Sequence, residues 1–178
     1  MLKIKKIISG LALLVLLSGC GSNALLQRVT PINSSLEKYN NVIVIADGKN
    51  ESIKKVKGFH ISRNELESEF ITSLAKKNKF KNVSSGSTGN HESGTLLIKL
   101  VIEELDYLSG ASSYFFGIFS GNSSLKVLAK LLDAKTGVVI GEIRSYAKTS
   151  SSGGVFRGGT AGLITKVSDK LVEDISSY

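Results

Sequence analysis

Two stretches of alternating apolar and polar residues, 95–107 and 124–133, constrain the fold of this chain more than any other feature. In the first stretch, one face of the strand carries Leu96, Ile98, Leu100 and Ile102. In the second, the matching face carries Leu125, Val127, Ala129 and Leu131. Such alternation predicts half-buried strands with one core face and one partly wet face. A turn with Gly137 at a position that favours positive φ leads into a third strand over 138–149, so the three strands predict an antiparallel meander.

The remaining elements follow from shorter patterns. The β-branched run at 42–46 predicts a buried strand. Ser62 stands three residues before Glu65, the spacing of a capping box, which predicts the start of an amphipathic helix. Residues 80–83 predict a short strand, and apolar residues at helical spacing predict a final helix over 160–176. The order β-α-β-β-β-β-α predicts an α+β fold, a two-layer sandwich in which two helices cover one face of a mostly antiparallel sheet.

The N-terminal residues predict an export signal. Three lysines at positions 3, 5 and 6 precede the apolar residues 7–17, and small residues before Cys20 mark a cleavage site. The apolar run is shorter than the roughly 20 residues that a bilayer-spanning helix needs. We therefore expect residues 1–19 to be removed as a signal peptide. Cys20 is the only cysteine of the chain, so its thiol has no disulfide partner within the chain.

The residues Leu17, Ser18, Gly19 and Cys20 resemble the lipobox of bacterial lipoproteins. The resemblance implies that the Cys20 thiol receives a diacylglyceryl group and becomes the mature N-terminus, so that acyl chains hold the protein on a membrane. An ordinary secretory signal with an incidental cysteine is the alternative. If the cell is Gram-negative, the absence of aspartate at residues 21 and 22 favours the outer membrane, with the domain facing the periplasm.

The mature chain has the length of one domain. Residues 20–40 are polar without a sustained period, which predicts a lipidated N-terminus and a tether, and residues 41–178 form a single domain. Without the signal, the chain keeps 20 Lys and Arg against 15 Asp and Glu. This modest excess, without interleaved stacking aromatics, argues against nucleic acid as a partner.

Two groups of lysines are denser than the rest. The first consists of Lys49, Lys54, Lys55 and Lys57, and the second of Lys76, Lys77, Lys79 and Lys81. Solvated surface charge is the simpler interpretation. A site for an anionic glycolipid is the alternative.

A second resemblance covers residues 30–178. It rests on the buried strand, the helix ending near Phe80, the long strand, and the Leu-Asp-Ala-Lys-Thr-Gly-Val-Val hairpin at 132–139, which precedes a Gly-rich segment and a closing helix. These features resemble an uncharacterised family of bacterial lipoproteins that carry a domain of unknown function. The resemblance implies an envelope lipoprotein of this architecture, with no catalytic residues to carry over. The topology is also distantly similar to the periplasmic domain of the curli-secretion lipoprotein, a similarity that carries no function.

The segment 109–122 is the first candidate contact site. It holds five large apolar or aromatic residues between Gly and Ser residues, namely Tyr114, Phe115, Phe116, Ile118 and Phe119. Each such side chain contributes about 1.5–3 kcal/mol when it is buried against lipid or protein. Three interpretations are open: the segment packs back as core, it binds a partner protein or a second copy, or it enters the membrane.

The Gly-rich residues 150–162 are the second candidate. Gly154, Gly158 and Gly162 share a spacing of four, which on a helix would give a smooth stripe for close packing. A simple turn is one alternative, and an anion site at the following helix N-terminus is another. The Lys-Ser/Thr pair of a P-loop and the G-x-G-x-x-G spacing are both absent from the sequence.

The residues that enzymes use do not form a recognisable pattern. His60 and His91 are the only histidines, neither lies in an H-E-x-x-H motif, and there is no G-x-S-x-G elbow. Metal sites need clustered ligands, and the sole cysteine is assigned to lipid. We therefore expect no enzyme activity, no metal site and no cofactor apart from the covalent lipid at Cys20.

Together these patterns predict a lipid-anchored cell-envelope protein that works as a non-catalytic binding or assembly module. The main hypothesis is docking on a larger envelope assembly through residues 109–122, the Gly-rich segment, or both. One alternative is a self-assembling component of the outer membrane that inserts the aromatic segment. Another is a binder of anionic glycolipid. The predicted partners are the membrane, an envelope protein and a second copy of the chain.

Overall fold

The computed structural model describes residues 24–33, 35–87, 89, 91–106, 123–149 and 159–178. In this part of the chain six strands form one open sheet. The strands are β1 Leu25–Thr30, β2 Asn41–Gly48, β3 Asn82–Ser85, β4 Thr95–Asp106, β5 Ser124–Asp133 and β6 Val139–Lys148. The helices are α1 Glu51–Lys54, α2 Phe59–Lys76 and α3 Gly159–Ser176, and a one-turn 3-10 helix covers Leu36–Lys38.

The order across the sheet is β1-β6-β5-β4-β2-β3. β4, β5 and β6 form the predicted antiparallel meander, and β1 pairs antiparallel with β6. β2 runs parallel to both β3 and β4, because α2 carries the chain back across the sheet between β2 and β3. The predicted α+β class is confirmed, with a mixed sheet whose parallel pairs both involve β2.

The core lies between one face of the sheet and the helices α2 and α3. The alternating residues predicted to face the core are all 0% exposed, namely Leu96, Ile98, Leu100, Ile102, Leu125, Val127, Ala129 and Leu131. The helices contribute six buried residues to this core, namely Leu66, Phe70, Leu74, Leu163, Val167 and Leu171. The long helices α2 and α3 therefore cover one face of the sheet, as predicted.

Helix α2 begins one turn before the predicted start at Ser62. Its N-cap is Gly58, with φ of 80°, and Ser62 lies buried inside the helix, where its hydroxyl has no hydrogen-bond partner among the described residues. Phe59 explains the shift, because its buried ring packs beside Gly48 and draws the first turn into the core. The capping-box prediction is therefore wrong.

Residues 24–40, which the sequence pattern placed in the tether, contribute to both the sheet and the core. β1 pairs along the edge of β6, and Leu26 packs against the core. Ile32 is buried over Gly141, where a Cβ would come within 2.6 Å of the Ile32 Cγ1 atom. Most side chains of β1 are exposed, so this edge strand lacks the alternation that would have predicted it.

Asp133 organises the turn between β5 and β6. Its carboxylate accepts hydrogen bonds from the Thr136 backbone N–H at 2.9 Å, the Thr136 hydroxyl at 3.0 Å and the Tyr39 hydroxyl at 3.0 Å. The Thr136 bonds are the main cause that lowers the pKa of Asp133, and burial raises the pKa of Tyr39 to about 12. Gly137 has φ of 72°, which confirms the predicted positive φ. The hairpin motif at 132–139 thus has a structural role in this turn.

Candidate functional site

The described residues that flank the segments singled out in the sequence lie at one end of the sheet. β1 and β5 start at this end and β4 and β6 finish there, because Leu25 pairs with Tyr146 and Ser124 pairs with both Asp106 and Lys148. We name it the anchor end, defined by Leu25, Asp106, Ser124 and Lys148. This convergence depends on the pairing order of the strands, so the sequence patterns did not reveal it.

Cys20 lies outside the described residues, five positions before Leu25. Five residues span at most about 18 Å when fully extended. A lipid on Cys20 would therefore keep the anchor end within that distance of the bilayer. Of the helices that the structure describes, none is long and apolar enough to cross a membrane.

The predicted contact residues Tyr114, Phe115, Phe116, Ile118 and Phe119 also lie outside the described residues. Their segment, 107–122, connects Asp106, the last residue of β4, to Ser123, just before β5. The Ser124 hydroxyl lies 2.7 Å from carboxylate oxygens of both Glu104 and Asp106. Ser123 exchanges two hydrogen bonds with Thr149, at 2.8 Å and 2.9 Å. The described residues on both sides of the aromatic segment are therefore hydrogen-bonded at the anchor end.

Gly162 is the one member of the predicted close-packing stripe that the structure describes. It lies in α3, and a Cβ built there would meet no heavy atom within 4 Å. Gly162 therefore packs closely against nothing in the described part of the protomer. Gly154 and Gly158 lie outside that part, in the segment 150–158 that joins the end of β6 to the start of α3.

Helices α2 and α3 run side by side in the same direction, away from the anchor end. Ser73 donates to Asp169 at 3.1 Å, and Lys79 donates to the Ser176 carbonyl at 3.2 Å, so the two C-termini lie together at the far end. Neither helix has an acidic residue in its first turn. The positive ends of both helix dipoles therefore lie at the anchor end without a carboxylate in the first turn to offset them.

The two lysine groups lie at opposite ends of the domain. The first, Lys49, Lys54, Lys55 and Lys57, follows the end of β2 at the anchor end, and the second follows the C-terminus of α2 at the far end. Lys54 is paired with Asp47 at 3.3 Å and with Glu51 at 3.2 Å. Lys49, Lys55 and Lys57 are exposed and form no ion pair with any described residue. The anchor end thus presents unpaired positive charge.

The sheet face opposite α2 and α3 carries a network of charged side chains. Arg144 donates to both carboxylate oxygens of Glu103, at 2.7 Å and 3.2 Å, and Lys126 lies 3.1 Å from Glu104. The bonds from Arg144 are the main cause that lowers the pKa of Glu103, and the bond from Ser124 is the main cause for Glu104. These carboxylates are held as charged partners of basic side chains.

A groove of about 700 Å³ lies beside this network. Ile45, Val101 and Leu128 line it, together with Lys49 and Lys99. A volume of this size suits a small ligand. Its carboxylates, however, already have basic partners, because Asp47 is paired with Lys54 and Glu103 with Arg144.

The two histidines lie apart, and neither forms an ion pair or hydrogen bond with an acidic side chain among the described residues. His60 lies on the surface of α2, edge-on to the Phe59 ring at 5.5 Å, and His91 Nε2 lies 3.0 Å from the Ser87 carbonyl oxygen. Within the described residues, no group of three or more His, Cys, Asp or Glu side chains could hold a metal ion. The described surface therefore has features that suit binding, namely charged side chains, exposed apolar area and an unpaired strand edge.

Most of the exposed large apolar side chains of the described residues lie along β1 and at the start of β6. Five large apolar residues are exposed in the described part of the chain, and four of them lie on β1 or at the start of β6, namely Leu25, Val29, Val138 and Val139. The outer side of β1 has no partner within the described sheet. We name this surface the β1–β6 edge. The sequence patterns did not predict this exposed apolar surface, although the apolar pairs at 25–26 and 138–139 contribute to it.

Comparisons with known proteins agree with this architecture. Among solved structures, the chain is similar to the PelC dodecamer from Paraburkholderia phytofirmans, with 15% identity, a TM-score of 0.56, and coverage of 86% of this chain and 97% of that chain. A PelC variant from the same organism, also a dodecamer, gives a TM-score of 0.58 at the same identity and coverage. At this identity the similarity shows the fold alone. No curated protein matches the chain significantly in sequence.

The family model described as a domain of unknown function, DUF4410, matches residues 32–153. This match covers well over half of the chain, from the segment before β2 to just beyond the end of β6. It includes the hairpin at 132–139, one of the features on which the family resemblance rests. The chain therefore belongs to the family of the domain of unknown function DUF4410.

Proposed function

We propose that this protein is a lipid-anchored component of the cell envelope that acts as a non-catalytic assembly module and associates with copies of itself through the β1–β6 edge. The observation that carries the proposal is the exposure of apolar side chains on the unpaired edge strand β1 and at the start of its neighbour β6. In a Gram-negative cell, the proposed location is the outer membrane, with the domain facing the periplasm.

The β1–β6 edge has the properties of an interface. Leu25 is 66% exposed and Val139 is 48% exposed, and β1 offers free backbone N–H and C=O groups to a further strand. Native proteins usually protect such edges with charge or by keeping them short. The only charged side chain of β1 is Arg28, which is engaged by Asp174 of α3. The opposite edge, β3, is only four residues long and mostly polar.

Similarity to the PelC dodecamers supports self-association of this fold. When this edge contacts the same edge of a second copy, the result is a two-fold dimer, and when it contacts a different surface of the next copy, the result is a ring if the rotation between copies closes. A non-catalytic role is supported by the described carboxylates of the open sheet face, which are bound to basic side chains rather than poised beside a nucleophile. The aromatic segment remains a predicted contact with the membrane or with a partner protein.

The anchor is tested by comparing the wild-type chain with Cys20→Ser in a bacterial host. We expect the wild-type chain to sediment with membranes and, after denaturation, to resist maleimide labelling, because its only thiol carries lipid. Cys20→Ser should appear in the soluble envelope fraction. Equal membrane association of both proteins would contradict the proposed anchor.

The interface is tested by chemical crosslinking of the full chain in cells. We expect the double substitution Val29→Lys with Val139→Lys to abolish crosslinked multimers, because two lysines would have to be buried against the neighbouring copy. Ile61→Lys is the matched control, since Ile61 is 54% exposed on α2, away from this edge. Multimers that survive in the edge variant, or disappear equally in the control, would contradict assembly through the β1–β6 edge.

A further inference from the structure

We propose that the anchor end is a contact surface for the anionic headgroups of the bilayer that holds the lipid anchor, with Lys49, Lys55 and Lys57 as its contact residues. The inference rests on the proposed lipidation of Cys20 and adds an orientation to it. The domain stands on the membrane with the first lysine group toward the lipid and the second group directed away.

The length of the anchor segment sets the height of the domain. Leu25 lies within about 18 Å of Cys20 even when the intervening chain is fully extended. The end of β2 is level with β1, because Gly48 pairs with Ile102, Ile102 with Val127, Val127 with Ser145, and Ser145 with Leu26. Four strand spacings of about 4.8 Å separate β1 from β2, so the first lysine group lies beside the anchor point at the same height.

The second lysine group lies much farther from the membrane in this orientation. Helix α2 has 18 residues and is therefore about 27 Å long, and Lys76, Lys77, Lys79 and Lys81 lie at or beyond its far end. Interactions with a charged surface decay over a Debye length of about 8 Å at physiological salt. Lysines at the far end would therefore add little to membrane contact.

The charge of the anchor end suits an anionic surface. Lys49, Lys55 and Lys57 are exposed and carry no ion pair within the described structure, and Lys148 at the end of β6 is likewise exposed. Of the nearby acids, Asp47 and Glu51 share Lys54 and Glu104 is paired with Lys126. Asp106 accepts a hydrogen bond from the neutral Ser124 hydroxyl and keeps its negative charge, so the exposed lysines still outnumber the uncompensated carboxylates. The N-termini of α2 and α3 add positive potential at the same end.

The test measures which end of the lipidated full chain lies at the membrane surface. The reporters are single cysteines at exposed positions, Ser52→Cys in α1 and Ala75→Cys near the end of α2. Each is labelled with a fluorophore and reconstituted into vesicles whose lipids carry a nitroxide quencher on the headgroup. One set of vesicles contains phosphatidylglycerol, and the other contains only phosphatidylcholine.

We expect strong quenching of the Ser52→Cys reporter in phosphatidylglycerol vesicles, weak quenching of the Ala75→Cys reporter, and loss of the difference at high salt. Each neutralised lysine should lower the ratio of contacting to non-contacting molecules about fivefold, the factor for one basic residue near an anionic surface. The variant Lys49→Gln, Lys55→Gln, Lys57→Gln should therefore lose quenching. The matched variant Lys76→Gln, Lys77→Gln, Lys81→Gln should retain it.

Equal quenching of both reporters, or equal effects of the two triple variants, would overturn the proposed contact between the first lysine group and the headgroups. Neither result would contradict the proposed lipidation of Cys20. Quenching that does not depend on phosphatidylglycerol would also overturn the proposed contact with anionic headgroups. An acidic protein would then be the expected partner of these lysines. Labelling of the wild-type chain at Cys20 would show that the anchor itself is absent. That result would overturn the proposed function, and the orientation with it.

Discussion

Glu103 joins β4 to β6 through Arg144 on the open face of the sheet. The two side chains are only 11% and 26% exposed, and the bonds from Arg144 lower the pKa of Glu103 below its ordinary value near 4.5. A carboxylate with a lowered folded-state pKa stabilises the fold above its ordinary pKa, and this stabilisation is lost as the pH falls through the lowered value. We expect Glu103→Gln to lower the free energy of unfolding by about 1–2 kcal/mol at neutral pH.

The difference between wild type and Glu103→Gln should shrink as the pH falls from about 4.5 through the lowered pKa of Glu103, because the carboxyl is protonated first in the unfolded and then in the folded state. Urea denaturation of both proteins across this pH range measures the effect. A difference that stays constant with pH would contradict the ionised Glu103–Arg144 pair as its cause.

Glu67 of α2 accepts the hydrogen bond of a β2 backbone N–H that lies beyond the end of β3. β3 pairs only with residues 41–44, and the backbone N–H of Ala46 donates instead to Glu67 Oε2 at 2.8 Å. The Ser85 hydroxyl donates to the other oxygen of Glu67. Because Glu67→Ala would leave the Ala46 N–H unpaired, we expect it to cost about 1–3 kcal/mol in the free energy of unfolding, measured by denaturant.

Glu65→Ala is the matched control for Glu67→Ala. Glu65 is exposed on the same helix, and since α2 begins at Phe59, it cannot act in a capping box with Ser62. We expect a change within about 0.5 kcal/mol. A loss at Glu65 as large as that at Glu67 would contradict both the observed helix start and the special role of Glu67.

Among the elements, α3 offers a test of the predicted glycine stripe. A Cβ at Gly162 meets open space in the described structure, so Gly162→Ala should raise the free energy of unfolding by about 0.5–1 kcal/mol through better helix propensity. Ala161→Gly, at the exposed neighbouring position, should lower it by a similar amount. If Gly162 instead packs against a second copy, Gly162→Ala would reduce crosslinked multimers while leaving the folded domain intact.

The elements that could be predicted from the sequence are those with one buried and one wet face. In β4 the core face alternates from Leu96 to Ile102, before the bulge between Ile102 and Glu104, and in β5 it alternates from Leu125 to Leu131. Helix α3 shows a buried stripe at helical spacing. β1 could not be predicted, because an edge strand with mostly exposed side chains gives no period. The start of α2 was mispredicted, because burial of Phe59 outweighs the local capping signal at Ser62.

At the scale of the whole molecule, different surfaces carry different chemistry. Helices cover one face of the sheet, ion pairs cover the other, apolar residues line the β1–β6 edge, and unpaired lysines lie at the anchor end. The sequence alone could locate Cys20 and the aromatic segment at 114–119 along the chain. It could not show that Leu25 and Asp106, described residues that flank them, lie at the same end of the sheet, because that placement follows from the antiparallel pairings of β1 with β6 and of β4 with β5.

The mass of the wild-type full chain, purified from membranes in a mild detergent and measured by light scattering, tests the proposed assembly most directly. We expect one discrete multiple of the protomer mass that persists on dilution, because in a closed assembly the β1–β6 edge of every copy is buried against a neighbouring copy. A protomer mass at all concentrations would contradict self-association as the function of this edge. A continuous distribution of masses would contradict a closed assembly.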